Sequence, residues 1–161
     1  MVTGIVAEYN PFHFGHEYQI RKIKESGSDG IIAVMSGNFV QRCEPAFFRK
    51  HARAEAAVKG GVDLVIELPV RFATASAEKF AYGAVSLLDK CGCDKINFGS
   101  ECGDIEALEK CAEKLIDAAT AVGTDKPSAH GQNTTRIVIA HSILSRSAKL
   151  IASELTKNTI A

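Results

Sequence analysis

The chain has 161 residues, 46% hydrophobic and 24% charged, a composition that excludes disordered, collagen-like and coiled-coil chains and predicts one globular domain. Its 19 Lys plus Arg balance 19 Asp plus Glu, so the chain as a whole has no charge excess that marks it for nucleic acid or an anionic membrane. No apolar run reaches the roughly 20 residues that span a bilayer, and the sequence starts without a signal-peptide pattern, so we expect a cytoplasmic protein without membrane association.

Apolar runs alternate with amphipathic segments through the first hundred residues. Strands are predicted over residues 2–7, 30–35, 62–69 and 95–98, and helices over 16–27, 45–59, 75–90 and 105–122. Continuous apolar strands alternating with helices are typical of a parallel sheet that is covered on both faces. The prediction is therefore an α/β fold, a Rossmann-like parallel sheet with helices on both faces. A further strand over 135–144 and a helix over 147–155 follow a Gly- and Ser-containing loop.

The five cysteines form an odd set in a chain predicted to be cytoplasmic, which favours reduced thiols. Cys91 and Cys93 are one residue apart, closer than the usual spacing of zinc ligands, and no histidine is near them in the sequence. We predict no metal-ligating residues. A thiol-dependent enzyme built on these two cysteines is the weakest functional hypothesis, because no histidine lies near either of them in the sequence to activate the thiol.

The segment after the first predicted strand reads EYNPFHFGHEY. His13 and His16 are three residues apart at the start of a predicted helix, and Gly15 between them lets a ligand approach the backbone. A helix N-terminus favours phosphate, and imidazoles placed there can donate hydrogen bonds to phosphate oxygens. The alternative is that His13 only caps the helix and His16 is only an exposed helix residue. The position after a buried N-terminal strand favours a phosphate site.

Five segments occur in an order and spacing that resemble one family: GIVAEYNPFHFGHEY, MSGNFVQRCEPAFFRKHARAEAA, GVDLVIELPV, SAEKFAYGAVSLL and INFGSE. From about Gly4 to Glu101 the chain resembles the bacterial tRNA(Met) cytidine acetate ligases, members of the HIGH-type nucleotidyltransferase superfamily. The resemblance implies an enzyme that forms acetyl-adenylate from ATP and acetate, with Mg²⁺ accompanying the ATP. It further implies transfer of the acetyl group to N4 of the wobble cytidine of elongator tRNA(Met).

The resemblance also implies site residues. Those expected at the nucleotide are Val6, Ala7, Glu8, Tyr9, Asn10, Pro11, Phe12, His13, Gly15, His16, Gln19, Gly99 and Ser100. Those expected to be catalytic are His13, His16 and Lys50.

A second motif of the family is matched by the stretch Ser36 to Phe39 together with Gln41, Arg42, Lys50 and Arg53. Its cations could hold acetate or the ATP phosphates. The alternative for Lys50 and Arg53 is a solvated helix face. Glu67, at the end of an apolar strand, is either a plain strand end or a carboxylate that orients a cation or Mg²⁺.

The chain departs from the family pattern in three places. Phe14 stands where the family usually has Asn, and Cys43 where it usually has Gly. The family's later ATP-binding and tRNA-binding parts have no clear match after residue 105. We therefore predict a nucleotidyltransferase-like α/β domain over residues 1–122, and a linker with a divergent or truncated strand and helix of the same domain over 123–161. The Ser-containing segment 142–151 is interpreted as an ordinary helix start.

Two other functions stay open on the sequence alone. One is a different HIGH-type nucleotidyltransferase, making a dinucleotide-type or cytidylyl product. The other is a nucleotide-binding module without catalysis, since a fold does not carry its function automatically. We expect this chain to bind ATP. Because neither half of the chain is basic, we expect it to hold tRNA(Met) only weakly and not to modify it efficiently.

Overall fold

The structure is a computed structural model that describes residues 1–41 and 43–99, together with Glu106 and Lys110. The chain divides into the units Met1–Gly99 and Ser100–Ala161, and the elements below belong to the first. Glu106 and Lys110 are helical, as predicted for residues 105–122. The described residues do not include Arg42, Ser100 or the remaining positions of the helix predicted over 105–122. The predicted boundary at residue 122 and the predicted elements over 135–144 and 147–155 also lie outside them.

Four parallel strands form one sheet. They are β1 (Val2–Ala7), β2 (Gly30–Ser36), β3 (Leu64–Leu68) and β4 (Lys95–Asn97), in the spatial order β3-β2-β1-β4. Ile5 of β1 pairs with Ala33 on one side and with Asn97 on the other. The predicted parallel α/β sheet is confirmed. The chain builds outward from β1 to β3 and then returns to the other side of β1, so the strand order reverses between β1 and β4.

Four helices connect the strands. They are α1 (Phe14–Glu25), α2 (Lys50–Lys59), α3 (Val70–Ala73) and α4 (Ala77–Lys90). The turn after α1 contains Gly27 at φ +80°, a left-handed conformation that glycine adopts without strain. Ser76 caps α4 by accepting a hydrogen bond from the backbone N–H of Lys79. Among the described residues, no helix is both long and apolar enough to cross a membrane.

The core lies on both faces of the sheet, because consecutive strand residues point to opposite sides. On one face, Ile31 and Ala33 of β2 pack in a cluster with Ile20 of α1 and Ala57 of α2. On the other face, Val34 of β2 belongs to a second cluster with the α4 residues Phe80, Ala84 and Leu88. Helices α1 and α2 therefore cover one face and α4 covers the other. Because these helices run back between parallel strands, their N-termini lie toward the carboxyl edge of the sheet.

The helix predicted over residues 45–59 begins five residues later, at Lys50. The preceding segment is extended instead: Pro45 forms an isolated antiparallel bridge with Phe39, and the N–H of Ala46 donates to the Asn38 carbonyl. Pairing with the loop after β2 thus overrides a local helix preference. The short helix α3 was not predicted, because four residues carry too little periodicity to indicate a helix.

Candidate functional site at the carboxyl ends of the strands

The loop that follows β1 lies at the point where the strand order reverses, which is where open α/β sheets bind ligands. Two hydrogen bonds tie this loop to the segment between β2 and α2. The Glu8 carboxylate accepts from the Gln41 N–H at 2.8 Å, and the Asn10 side-chain oxygen accepts from the Phe47 N–H at 2.8 Å. On the other side, the Gln19 amide donates to the Asn97 side chain of β4 at 2.9 Å. The loops after β1 and β2 therefore border one crevice at the carboxyl edge of the sheet.

His13 and His16 cap α1 reciprocally. The Nδ1 atom of His13 accepts from the Gly15 N–H at 3.1 Å, and the Nδ1 atom of His16 accepts from the His13 N–H at 3.2 Å. This is a capping box in which imidazoles replace the usual hydroxyl and carboxylate. A ring nitrogen that accepts a hydrogen bond carries no proton, so each neutral ring has its proton on Nε2. The capping role and the phosphate-binding role are therefore compatible, because Nε2–H remains as a donor.

The two imidazole rings stack on each other, and two aromatic residues flank the stack. The His13 and His16 ring centroids are 3.8 Å apart. The edge of Tyr9 meets His16 at 4.9 Å, and Phe12 lies 5.6 Å from His16. Burial, and secondarily the charge of His13, lowers the pKa of His16 from 6.5 to about 4. His16 is therefore neutral at pH 7, at a helix N-terminus whose dipole favours anions.

Gly15 is required by the histidine cap itself. A side chain there would place its Cβ 2.9 Å from Cε1 of His13, closer than carbon atoms approach without displacement. The glycine also leaves the first turn of α1 open to a ligand. Phe14, next to it, is 89% exposed and makes the rim of this turn apolar where the family resemblance expected Asn.

Tyr9 and Ser36 bring buried hydroxyl groups to the same edge of the sheet. Tyr9 is 1% exposed, with a left-handed backbone at φ +48°, and burial raises the pKa of its phenol. Ser36 ends β2 and is fully buried. Within the described part of the chain, neither hydroxyl has a hydrogen-bond partner. Both are polar groups that a ligand or an ordered water in the crevice could satisfy.

Arg53 is the buried cation of the site, with 2% of its surface exposed. Its guanidinium donates to four backbone carbonyls: Glu8 after β1, Ser36 and Gly37 at the end of β2, and Phe48 before α2. The solvated-face interpretation of Arg53 is therefore wrong. Because its N–H groups donate to backbone carbonyls, Arg53 is not an anion ligand here. The signal that sequence reasoning missed is its spacing of four residues from the buried Ala57, which places both on the inner face of α2.

Lys50 begins α2 and pairs with Glu67 near the end of β3, with 2.6 Å between Nζ and Oε2. Both side chains are partly exposed, at 30% and 46%. Gly37 leaves room for this pair, because a side chain there would collide with the Glu67 carboxylate. The pair places one cation and one carboxylate at the carboxyl edge, next to the loop that Arg53 holds. Whether Lys50 is catalytic stays a prediction.

The remaining predicted nucleotide residues are partly located. Val6 and Ala7 end β1, Pro11 is exposed in the loop before α1, and Gly99 is exposed after β4 with open space where a Cβ would be. Ser100 lies outside the described residues.

In the described part of the chain, no three His, Cys, Asp or Glu side chains gather as metal ligands. Cys91 and Cys93 lie at the far end of α4, and burial raises the pKa of the Cys93 thiol, which disfavours the reactive thiolate.

A family model of HIGH nucleotidyl transferases matches residues 1–148. The chain therefore belongs to the HIGH nucleotidyl transferase family, the class that the parallel sheet and the histidine pair at the start of α1 define.

Within that family the chain is similar to proteins named tRNA(Met) cytidine acetate ligase. It is 55% identical over 118 residues to the one from Clostridium perfringens and 57% identical over 118 residues to the one from Thermoanaerobacter sp.. In each case the match covers 72% of this chain and 29% of the relative. The chain thus spans less than a third of the length of these curated relatives.

The chain is also similar to solved structures of a TmcAL protein. The crystal structure of Thermotoga maritima TmcAL bound with alpha-thio ATP superimposes with a TM-score of 0.69 at 39% sequence identity, covering 89% of this chain and 42% of that one. The apo form of the same protein superimposes with a TM-score of 0.68 at 38% identity.

Proposed function

We propose that this chain carries the adenylate-forming site of a tRNA(Met) cytidine acetate ligase. In the first step an acetate oxygen attacks the α-phosphorus of ATP, the bond to the β-phosphate oxygen breaks, and pyrophosphate leaves. In the second step the exocyclic N4 of a tRNA cytidine attacks the acetyl carbonyl, AMP leaves, and the cytidine nitrogen gives up a proton. The single observation that carries the proposal is the histidine pair whose Nδ1 atoms are bonded to backbone and whose Nε2–H groups remain as donors.

The histidines act by charge stabilisation. Charge builds on the α-phosphate oxygens and on the departing pyrophosphate as the reaction proceeds, and neutral donors at a helix N-terminus are suited to that charge. No protein nucleophile is required, because the acetate supplies the attacking oxygen. Catalysis is then mainly positioning, and the tied loops after β1 and β2 provide a fixed frame for the ATP.

The neighbouring residues have supporting roles in this proposal. The stretch from Val6 to Gln19, with Gly99 and Ser100, forms the nucleotide site. Lys50 neutralises acetate or a phosphate oxygen when it leaves Glu67. If Mg²⁺ accompanies the ATP, one or two protein carboxylates would hold it together with the phosphates, and the partly exposed Glu67 carboxylate at this edge would fit that role. The metal would supply further neutralisation of the phosphates.

The comparisons support the proposal from outside the site. The similar proteins carry the ligase name, and the Thermotoga maritima neighbour was crystallised with an ATP analogue. The proposed RNA substrate puts the reaction in the cytoplasm. No described helix is long and apolar enough to cross a membrane.

Exchange of labelled pyrophosphate into ATP tests the first step. We expect exchange that depends on acetate and that nicotinate mononucleotide does not support. Exchange with the mononucleotide instead would indicate a dinucleotide-forming transferase. Tight ATP binding with no exchange under either condition would indicate a non-catalytic nucleotide-binding module and would refute the proposal for this chain.

A further inference from the structure

A cleft of about 270 Å³ opens beside the histidine pair and shares only Pro11 and Phe12 of its lining with the proposed nucleotide stretch. It lies between the loop after β1 and the start of α2, and its lining residues are Pro11, Phe12, Phe48, Ala52, Arg53 and Ala56. Pockets that enclose drug-sized ligands usually measure about 300 to 1,000 Å³. The cleft is therefore of a size for one ring system, and smaller than a whole ATP molecule needs.

One side chain, Phe12, lies between the cleft and the histidine pair. Phe12 lines the cleft and also packs beside His16, with the two ring centroids 5.6 Å apart. A group in the cleft is thus one aromatic ring away from the histidines that we assign to the phosphates. In the proposed second step, the acceptor of the acetyl group has to arrive close to these histidines.

The walls of the cleft suit the flat face of a base and do not suit an anion. Phe12 and Phe48 supply aromatic rings, with Phe48 56% exposed, and Ala52 and Ala56 leave space between them. Arg53, the cation among the described lining residues, already donates to four backbone carbonyls. Acetate or phosphate in the cleft would therefore lack a free cationic partner, whereas bases stack on aromatic rings regardless of sequence.

The rim next to Phe48 carries one exposed cation, Arg49, and one exposed imidazole, His51, which can donate hydrogen bonds to phosphate oxygens. Arg49 and His51 are exposed on either side of Lys50, and Phe47 is 81% exposed beside them. Aromatic residues interleaved with cations are typical of surfaces that bind single-stranded nucleic acid. The charge complementarity is local, which fits a chain whose total charge is zero.

We infer that this cleft receives the unstacked nucleobase of the RNA that accepts the acetyl group, with Phe48 as its stacking wall and Arg49 and His51 at the adjoining phosphates. The inference rests on the proposed function, because it assigns the second substrate of the same site. The ligand class of this subsite is a base in single-stranded RNA, and the subsite borders the ATP crevice at Pro11 and Phe12.

The test compares two labelled probes at low salt, hexacytidylate and an abasic hexanucleotide with the same backbone, by fluorescence anisotropy. Wild type should prefer hexacytidylate. Phe48→Ala should weaken hexacytidylate binding by about 5- to 150-fold, the loss of one base–aromatic stack, and leave the abasic probe unchanged. Ala52→Leu, which fills the cleft from an exposed helix position, should act in the same way. Tyr82→Ala is the matched control, since Tyr82 is 58% exposed on α4 at the other face of the sheet.

The ATP affinity of the same variants, measured by calorimetry, separates this inference from the proposed function. ATP affinity unchanged within twofold, combined with weaker hexacytidylate binding, supports the base subsite. A parallel loss of ATP affinity would assign the cleft to the nucleotide and overturn the inference. Equal binding of both probes by wild type, or no effect of either cleft variant, would also overturn it. Absence of acetate-dependent pyrophosphate exchange in wild type would instead refute the proposed function.

Discussion

His16 has two separable roles at the start of α1, a cap through Nδ1 and a donor through Nε2–H. We expect His16→Ala to slow acetate-dependent pyrophosphate exchange by roughly 30- to 1,000-fold, equivalent to about 2 to 4 kcal/mol for one lost charge-stabilising donor. Saturating ATP should not restore the rate, because the donor acts mainly in the transition state. The measurement is the maximal exchange rate at several ATP concentrations.

His16→Glu is the control for the cap. Glutamate at this position of a helix completes an ordinary capping box, so this variant should regain the thermal stability that His16→Ala loses. It supplies no donor and adds a negative charge near the phosphates, so its exchange rate should stay low. An unchanged exchange rate in either variant would contradict the assignment of His16 to phosphate stabilisation.

The lowered pKa of His16 predicts a pH dependence of stability. In the unfolded chain this imidazole takes up a proton near pH 6.5, whereas in the folded protein it does so near pH 4. Between those values the unfolded state binds more protons, so the free energy of unfolding should fall as pH decreases from about 6.5 to about 4. His16→Gln removes the titrating group and should flatten this part of the curve. Urea unfolding at several pH values measures the difference, and identical slopes for both proteins would contradict the prediction.

Cys43 has φ +59° on an exposed loop, a left-handed conformation in a residue that is not glycine. The family resemblance expected glycine there, and the backbone explains why. Left-handed backbone costs about 1 to 2 kcal/mol for residues with a Cβ, and glycine's greater freedom in the unfolded chain offsets part of that. Cys43→Gly should therefore raise the free energy of unfolding by about 1 kcal/mol. Cys43→Ala keeps the Cβ and should give no gain in the same urea titration.

At the scale of elements, the site depends on loops that a buried side chain holds together. Arg53 joins the ends of β1 and β2 to the start of α2 through carbonyl acceptors. Arg53→Met would leave these carbonyls without their donor, and we expect a loss of about 3 kcal/mol or more in the free energy of unfolding. ATP affinity should fall as well, because both loops border the crevice. Chemical denaturation and calorimetry measure the two effects.

Lys59→Met on the same helix is the comparison for Arg53. Lys59 is exposed and, among the described residues, pairs with Glu55 one turn earlier, at 2.6 Å. Such pairs contribute about 0.5 kcal/mol, so this variant should be nearly as stable as wild type. Arg53→Lys keeps the charge without the planar fork of donors and should fall between the two. Equal stability of the Arg53→Met and Lys59→Met variants would contradict the role of Arg53 as a clamp.

At the scale of the whole molecule, charge limits how strongly this chain binds RNA. The formal net charge is zero, and affinity for nucleic acid comes largely from counterions released by clustered cations. We expect weak binding of tRNA(Met) by this chain at physiological salt, with a shallow salt dependence set by a few rim cations. A gel-shift titration over a range of salt concentrations measures both. Tight, sequence-selective binding at physiological salt would contradict this prediction.

The sequence by itself was sufficient for the order of the four strands and of α1, α2 and α4, and for the histidine pair. Strands and helices of the first hundred residues follow from local periodicity, and the predicted strand over residues 2–7 has the observed bounds. The placement of His13 and His16 at the start of α1 follows from a short motif after a strand. These features are local, so they can be read from neighbouring residues.

Only the tertiary structure decided which residues hold the site. The start of α2 at Lys50, the burial of Arg53 and the bond between Glu8 and Gln41 all depend on contacts between residues far apart in sequence. Residues 45–49 have an acceptable helix sequence, yet their backbone groups pair with the loops after β1 and β2. A guanidinium can be buried because four carbonyls from three segments converge on it, and that convergence exists only in the folded chain. Local preference determined the elements, and long-range hydrogen bonding determined the crevice between them.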